Sequence, residues 1–431
     1  MSEDEWLAEA LRIANMAQAN GEDAFGARDI VYGLWSHFMG APAAVLTSYR
    51  LLNSNDINNS MEEISKALCN AATLNQENWI ENNTIVLKSA ALLWALEAMF
   101  LRADGHLFPR TVSELKVDFE GQEGFLVPFR AAFQKDKAGP NYFQKRGLKA
   151  SRCIPAILDG GVSVDLKLSR RLVVADELLC DGQLFESSRP LDENGAAMDF
   201  RTGGNFNFFD MGFDTPPDMQ ARLTEACGVQ PVHDVVVFPE LMVPERVESA
   251  LRDALKTRPW DPELALEAPV FVLGGSWHHQ REDGLFENRA PLYNGFGELL
   301  GEHKKSQPFT SGGNTENISP SNTVLVVACP GLTVAVAICL DYCQEGQPCN
   351  PYENLDVDLI IVPSMGGEET LTSHENMAQR AWNNRKTATF VAQQHDSQEY
   401  GYVAGMPFDD GASFGERVNS RSSVRKIKQK G

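Results

Sequence analysis

Apolar residues recur at intervals of three and four positions through the first hundred residues of the chain. Four stretches show this spacing: EDEWLAEALRIANMAQ, ARDIVYGLWSHFM, SMEEISKALCNAATL and ENWIENNTIVLKSAALLWALEAMFL. Such spacing is typical of amphipathic or buried helices. Asn, Gly, Ser and Asp separate the stretches, as expected for breaks between helices. The pattern therefore predicts an all-helical N-terminal module.

The pattern changes after Pro231 to short runs rich in Val and Ile. Six runs bounded by Gly, Pro or Asp predict strands: HDVVVFPE, APVFVLGGSW, NTVLVVACPG, LTVAVAIC, VDLIIVPS and ATFVAQQ. Helical spacing over 247–256 and 374–386 lies between some of them. Buried strands that alternate with helices predict an α/β layered domain.

The two regions join where the pattern blurs, between Ala103 and about Gly161. A chain of 431 residues favours two domains, and we predict a helical module at 1–150 and an α/β domain at 151–431. The stretch 188–218 is rich in Gly, Asn, Asp and Pro and predicts a long surface loop. The basic stretch RSSVRKIKQKG predicts a solvated tail.

The net charge and the cysteine content narrow the classes of function that are expected for this chain. With 38 basic and 59 acidic residues the net charge is −21, which repels phosphate backbones and anionic lipid surfaces and argues against nucleic-acid or membrane partners. The first ten residues lack the pattern of a secretory signal, and Lys88 and Glu97 interrupt the longest apolar stretch. Eight cysteines without a Cys-x-x-Cys pair indicate a reducing cytoplasm and no metal site.

Reactive residues stand at the ends of three predicted strands. Glu240 directly follows VVVFP, Lys304 and Lys305 lie in GEHKKSQPF, and Cys339 ends VAVAIC. Each alone is typical of a solvated or buried structural residue, but α/β folds place their sites at strand ends. A carboxylate can take the proton of a thiol, and an ammonium can stabilise the charge that develops when sulfur attacks a carbonyl.

Five motifs, in this order, resemble the carbon–nitrogen hydrolase (nitrilase) superfamily: VVVFPEL, YNGFGELLGEHKKSQPF, VAVAICLDY, VDLIIVPSM and HENMAQRAWNNRKTATFVAQQ. They cover about Asp234 to Gln394. The resemblance implies an α-β-β-α sandwich for the C-terminal domain, to which the N-terminal helical module is an addition. It also implies a homo-oligomer.

The resemblance assigns roles to the three strand-end residues: Glu240 as general base, Lys305 as the cation that stabilises the oxyanion and Cys339 as nucleophile. Lys305 is chosen over Lys304 because the family's lysine follows a basic residue. Neither a metal nor an organic cofactor is implied. The expected reaction is hydrolysis of a non-peptide C–N bond in a small amide-type substrate, through a thioester.

Two further positions refine the expected site and the expected substrate class. Many relatives carry a second glutamate between the lysine and the cysteine, and Glu316 is the candidate here, although we favour a solvated loop residue slightly over a site residue. Leu340 and Asp341 follow the cysteine where nitrile-cleaving relatives have Trp-Glu, which favours amides over nitriles.

Other functions stay open. The stretch LGGSW superficially resembles the surroundings of a nucleophilic serine but lacks the Gly-x-Ser-x-Gly elbow. His278 and His279 follow it and are expected to be polar loop residues rather than metal ligands. An alternative of another class is a catalytically weak binding or sensing protein whose helical module contacts a protein partner.

Overall fold

The structure is a computed structural model. It describes residues 1–20, 24–69, 84–103, 108–128, 147–171, 173, 177–186, 188–196, 204–213, 217–228, 233–257, 268–311, 313–343, 350–395, 400–407, 413–418 and 420–428. The chain forms two compact units. The first comprises Met1–Ile157 and Asn384–Lys386, and the second contains the rest of the described chain.

The first unit contains a helical core. Its helices are α1 (Glu3–Asn20), α2 (Ala24–Met39), α3 (Ala43–Leu51), α4 (Ser54–Cys69) and α5 (Ile85–Ala103). Helix α5 lies against the other four. This explains its nearly continuous apolar sequence, since a helix that is apolar all round must be covered on every side. No helix in the described ranges is long and apolar enough to cross a membrane.

The first unit is not all-helical as predicted, because a short 3₁₀ turn (Val112–Leu115) and a three-stranded antiparallel sheet follow α5. The strands are β1 (Lys116–Phe119), β2 (Gln122–Pro128) and β3 (Ser151–Pro155). The turn between β1 and β2 consists of Glu120 and Gly121, both in the left-handed region at φ 53° and 84°. Two left-handed residues match the right-handed twist of a hairpin, so this Glu-Gly pair between alternating residues was a signal that the sequence analysis missed.

The second unit contains a seven-stranded sheet in the order β12-β13-β11-β10-β6-β23, with β14 paired to β13. Strands β6, β10 and β11 are parallel. The bounds are β6 (Glu177–Gln183), β10 (Val235–Val237), β11 (Phe271–Leu273), β12 (Trp277–Gln280), β13 (Phe286–Tyr293), β14 (Leu299–Lys304) and β23 (Ser422–Lys428).

An eight-stranded sheet of the same unit runs in the order β22-β21-β20-β19-β18-β17-β5-β4, with β18, β19 and β20 parallel. A 3₁₀ turn (Asp159–Gly161) joins β4 to β5. The bounds are β4 (Ile157–Leu158), β5 (Val162–Leu168), β17 (Thr323–Cys329), β18 (Leu332–Val336), β19 (Leu359–Met365), β20 (Ala388–Gln394), β21 (Gly401–Met406) and β22 (Gly415–Val418).

The two sheets contact each other. A Cβ on Gly182 of β6 would lie 2.6 Å from Val403 of β21, and one on Gly405 would lie 2.4 Å from Ile427 of β23, so glycine permits the close approach. The helices of this unit are α6 (Met219–Gly228), α7 (Glu245–Lys256), α8 (Leu340–Cys343) and α9 (Glu368–Arg385). Apolar side chains of α6 and α7 share a core cluster with those of β10 and β11. The α/β class is confirmed, and the order of layers in a sandwich stays a prediction.

Two predicted loop regions contain strands. The stretch 188–218 includes β7 (Ser188–Leu191), β8 (Gly204–Phe206) and β9 (Asp210–Phe213); β7 pairs with β9, and β8 pairs with β16 (Asn314–Glu316), which also pairs with β15 (Thr310–Ser311). The predicted solvated tail is also wrong, because it contains β23, which pairs with β6 along its full length. Ile427 is 1% exposed, whereas the basic side chains that suggested a tail are typical of an edge strand.

Candidate active site

Glu240 lies just beyond β10 of the seven-stranded sheet. The strand ends at Val237, and the N–H of Phe238 still donates to the carbonyl of Leu273, at 3.0 Å. Leu241 then adopts a left-handed conformation with φ 57°, which turns the chain. The carboxylate of Glu240 is left buried, with 2% of the residue exposed.

Lys305 directly follows β14 of the same sheet. Its N–H donates to the carbonyl of Asn288 at 2.9 Å, and its carbonyl accepts from the N–H of Ser321 at 3.0 Å, so its backbone is fixed on both sides. The residue is 2% exposed. The neighbouring Lys304 is half-exposed and pairs with Glu287 at 3.0 Å, so of the two lysines only Lys305 enters the buried cluster.

Cys339 stands between β18 of the eight-stranded sheet and α8. Its N–H donates to the carbonyl of Pro363 at 3.0 Å, and its carbonyl accepts from the N–H groups of Tyr342 and Cys343 at 3.0 and 3.3 Å. The residue has φ 44°, a conformation that a side chain with a Cβ rarely adopts. Backbone strain of this kind is maintained where surrounding contacts enforce it, and it clusters at functional sites. The residue is 4% exposed.

The ammonium of Lys305 lies between two carboxylates. Its Nζ is 2.7 Å from Oε1 of Glu240 and 2.7 Å from Oε2 of Glu316. The three side chains are almost completely buried, so water does not screen these charges. The structure thus brings together two of the three predicted site residues by direct contact, together with the possible accessory residue.

Glu316 is not the solvated loop residue that we favoured from the sequence. It ends β16 and is 2% exposed. Four donors satisfy its carboxylate: Nε2 of His278 and Nδ2 of Asn288 on Oε1, both at 2.9 Å, and Lys305 and the N–H of Phe309 on Oε2. The burial comes from the pairing of β16 with β8, which the irregular sequence around Glu316 did not reveal.

Sequence analysis missed the roles of His278 and Asn288. His278 lies in β12 rather than in a loop, and it is 4% exposed. Its Nδ1 accepts from the N–H of Phe208 at 3.0 Å, so its Nε2 must carry the hydrogen that it donates to Glu316. Asn288 of β13 donates from Nδ2 to both Glu240 and Glu316, at 3.2 and 2.9 Å. In the sequence each stands beside other polar residues, in WHHQ and in FENRAPLY, so neither position carries a distinctive signal.

The environments of the two glutamates push their pKa values in opposite directions. Burial raises the pKa of Glu240 well above its ordinary value; Lys305 acts against this, and Cys339 and Glu316 add to it. Burial also acts to raise the pKa of Glu316, but Lys305 and the hydrogen bond from His278 outweigh it and hold that pKa below its ordinary value. Glu316 is therefore the ionised partner of the lysine, and Glu240 is the carboxyl that can gain and lose a proton.

Lys305 stays charged in this cluster. Burial alone would lower its pKa, but Glu240 and Glu316 more than offset that effect, and the pKa lies well above its ordinary value. A permanently charged, water-excluded ammonium is suited to stabilise an oxyanion.

The Cys339 thiol is protonated at rest. A hydrogen bond with Cys343 and burial raise its pKa to about 12, against the opposing effects of His374 and Lys305. A thiol with a raised pKa needs a base before it can act as a nucleophile.

Asp341 connects the segment of the lysine to that of the cysteine. Its Oδ1 accepts from the N–H and hydroxyl of Ser306 at 2.9 and 2.8 Å and from the N–H of Gln307 at 2.9 Å. Its Oδ2 accepts from Nε2 of His303 at 3.1 Å and from the N–H of Ile338 at 3.4 Å. Ser306 follows Lys305 and Ile338 precedes Cys339, so one carboxylate joins the two sheets at the site.

The cluster thus combines a carboxyl that can titrate, a fixed cation and a thiol. Glu240 and Lys305 follow strands of one sheet, and Cys339 follows a strand of the other sheet. Among the described residues, no group of three or more His, Cys, Asp and Glu is arranged to hold a metal ion.

Comparisons with known proteins found similarity only among solved structures; no protein-family model and no curated protein matches the chain. An amidase from Nesterenkonia sp. is 15% identical, with a TM-score of 0.41, and the match covers 61% of this chain and 95% of that one. A mutant of the Nesterenkonia sp. AN1 amidase in complex with butyramide is 16% identical, with a TM-score of 0.40, covering 58% and 91%. A mutant of the Nesterenkonia AN1 amidase, described as belonging to the nitrilase superfamily, is 14% identical, with a TM-score of 0.40, covering 58% and 90%.

These structural neighbours are nitrilase-superfamily amidases, and this is the superfamily predicted from the sequence motifs. At such low identities and TM-scores the neighbours carry no argument about what the chain does. The chemistry must be argued from its own residues.

Proposed function

We propose that the chain is a cysteine-dependent hydrolase that cleaves a non-peptide C–N bond in small amides. The observation that carries the proposal is the buried contact of Lys305 with both Glu240 and Glu316, at 2.7 Å each. In this cluster Glu316 is held ionised, while the pKa of Glu240 is raised. Two carboxyls pushed apart in this way mark one of them as an acid–base group. The nearby thiol of Cys339 supplies a nucleophile.

In the proposed first half-reaction Glu240 takes the proton of Cys339 as the sulfur adds to the amide carbon. The C–S bond forms, and the electron pair of the carbonyl π bond moves to oxygen. Lys305 stabilises this oxyanion, and removal of such a donor typically costs about 3 to 4 kcal/mol of transition-state stabilisation. Glu240 then gives the proton to the nitrogen, which leaves as ammonia or an amine.

The second half-reaction hydrolyses the thioester on Cys339. Glu240 takes a proton from water as its oxygen adds to the thioester carbon, Lys305 again faces the oxyanion, and the carbon–sulfur bond breaks. The proton returns to the sulfur, and the carboxylic acid leaves. Atoms and charges balance without a metal or an organic cofactor.

Glu316 contributes to this chemistry by holding the ammonium of Lys305 in place. Its four hydrogen bonds leave no acceptor position for a substrate, so it fixes the ammonium and takes no proton. Asn288 has a further feature, because its Oδ1 makes no hydrogen bond among the described residues while its Nδ2 contacts both glutamates. This acceptor is available to an N–H of an amide substrate.

The test is ammonia release from a panel of small amides by the purified full-length protein. Butyramide and acrylamide, the ligands of two structural neighbours, belong in the panel. We expect turnover by the wild type and none by C339A. The matched control is C329A, which removes another buried thiol, in β17, and should keep wild-type turnover. Hydrolysis by C339A, or no turnover of any amide by the wild type, would overturn the proposal.

The remaining assignments belong to the same proposal. We propose domains at 1–150 and 151–431, a cytoplasmic location and a homo-oligomer. The helical module is proposed to contact a protein partner or to regulate access to the site.

A further inference from the structure

A buried histidine that the proposed chemistry does not use lies beside the nucleophile. His374 of α9 is completely buried. Its Nε2 is 3.0 Å from the hydroxyl of Ser364 in β19. Its Nδ1 makes no hydrogen bond within the described ranges. An unpaired buried ring nitrogen costs free energy, so its retention calls for an explanation.

The contacts of the His374 ring place it next to Cys339. Ser364 lies between Pro363, whose carbonyl accepts from the N–H of Cys339, and Met365, whose carbonyl is 3.7 Å from the sulfur. The ring of His374 stacks on that of Tyr342, with centroids 6.0 Å apart, and Tyr342 belongs to the helix that starts after Cys339. A hydrogen bond with His374 acts to lower the pKa of Cys339, which is consistent with this proximity.

Neighbouring hydrogen bonds fix which nitrogen of His374 carries the hydrogen. Gln393 donates from Nε2 to the carbonyls of Gly366 and Gly367, at 3.0 and 2.8 Å, so its Oε1 faces Ser364. The hydroxyl of Ser364 donates to that oxygen at 3.5 Å. Ser364 is then left to accept from His374, so Nε2–H is the donor and Nδ1 holds a lone pair.

Among the residues that the structure describes, the other contacts of the thiol do not supply a second base. The carbonyl of Met365 cannot take a proton. The titratable groups that face the sulfur are Glu240 and Lys305 from the opposite sheet, Cys343 in α8 and His374 in α9. Lys305 is charged and cannot accept, and another thiol is a weak base, so Glu240 and His374 are the acceptors.

We propose that His374 is a second proton acceptor for the Cys339 thiol, which serves when Glu240 already carries a proton. The S–H bond breaks with its electron pair left on sulfur, and the proton adds to the lone pair of Nδ1. Ser364 holds the imidazolium through Nε2–H. The protonated Glu240 gives its proton to the departing nitrogen, takes one from water in the second half-reaction, and His374 returns its proton to the sulfur.

This inference rests on the proposed function, and the roles it adds are distinct. His374 is a catalytic residue because it exchanges a proton with the reacting sulfur. Ser364 is a positioning residue that acts through His374. The pattern of a thiol, an imidazole and a third group that orients the imidazole is the general arrangement for activating a cysteine.

The test follows alkylation of Cys339 by iodoacetamide, read by mass spectrometry at that residue. E240Q imitates the protonated carboxyl because its amide cannot accept a proton. We expect E240Q to keep a measurable rate and E240Q/H374N to be slower than E240Q by about a hundredfold, the lower range for general-base catalysis. The pH at which the rate rises should also move upward in the double variant, because the hydrogen bond with His374 that lowers the pKa of Cys339 is lost.

The matched control is E240Q/H233N. His233 is another buried histidine, 8% exposed and 3.1 Å from Asp181, and its removal should leave the rate of E240Q unchanged. E240Q/S364A keeps the imidazole but removes the acceptor of Nε2–H; we expect a loss of about tenfold. If replacement of His374 prevents folding, the alkylation rate of E240Q/S364A tests the inference instead.

Equal rates for E240Q, E240Q/H374N and E240Q/S364A would overturn the inference. Alkylation does not require turnover of an amide. The proposed function can therefore fail, through hydrolysis by C339A or absence of any amide substrate, while this test still reports on His374.

Discussion

Replacement of Asp341 by Asn tests whether one carboxylate aligns the lysine with the cysteine. The carboxylate accepts five hydrogen bonds, three on Oδ1 and two on Oδ2. His303 accepts the N–H of Leu325 on Nδ1, at 3.5 Å, so it donates to Asp341 from Nε2. In D341N the amide oxygen can keep the bonds of Oδ1, but the NH₂ group then faces two other donors.

The expected loss follows from these two contacts. A hydrogen bond to a charged group contributes about 1.5 to 3 kcal/mol. The contact with His303, at 3.1 Å, should count in full and the longer one with Ile338, at 3.4 Å, in part. We expect the free energy of unfolding to fall by about 2 to 4 kcal/mol. Because Ile338 precedes Cys339, the sulfur should also shift relative to Lys305, and kcat should fall by about tenfold to a hundredfold.

Urea denaturation measures the first quantity, and ammonia release from the best amide of the panel measures the second. The control is D181N, since Asp181 is also buried and bonded to a histidine but lies in β6, which carries none of the site residues. D181N should be destabilised with an unchanged kcat. A D341N protein with wild-type kcat would refute the reasoning, because the alignment would then not depend on this carboxylate.

Three further outcomes are expected. E316Q should lower kcat by about tenfold to a hundredfold in the same ammonia assay, because Lys305 loses the carboxylate that holds it. I427A should lower the free energy of unfolding in urea by about 2 to 4 kcal/mol, whereas V424A in the same strand should change it little, because Ile427 is 1% and Val424 is 41% exposed. Burial raises the pKa of Glu97, so its ionisation should weaken the first unit as pH rises above about 4.3. Stability, measured by urea unfolding at each pH, should therefore fall more in the wild type than in E97Q as the pH rises above that value.

Each of these outcomes has a contradicting result. Full activity in E316Q would show that Lys305 is held without that carboxylate. Equal effects of I427A and V424A would mean that β23 does not pack as described. An identical pH dependence in wild type and E97Q would mean that Glu97 keeps one protonation state over that range.

The apolar pattern of the sequence predicted the buried elements, the helices by their spacing and the central strands by nearly continuous apolar runs. The Val-rich runs became β10, β11 and β17 to β20, and the motifs located the strand ends at Glu240, Lys305 and Cys339. Such predictions succeed because burial imposes a regular spacing of apolar residues.

The elements that were missed depend on partners far along the chain. Glu316 is buried because β16 pairs with β8, and β23 forms because β6 offers an edge; neither partner can be read from the local residues. His278 and Asn288 contribute through hydrogen bonds of individual side chains, which leave no periodic signal. His374 was counted only as part of a predicted helix, since its position beside Cys339 requires the packing of α9 on β19.

Cys339 follows a strand of one sheet, whereas Glu240 and Lys305 follow strands of the other. The packing between the sheets therefore sets the distance from Cys339 to Glu240 and Lys305. A larger side chain between the sheets, for instance in G182A, whose Cβ would lie 2.6 Å from Val403, should therefore lower kcat although it changes no residue of the site.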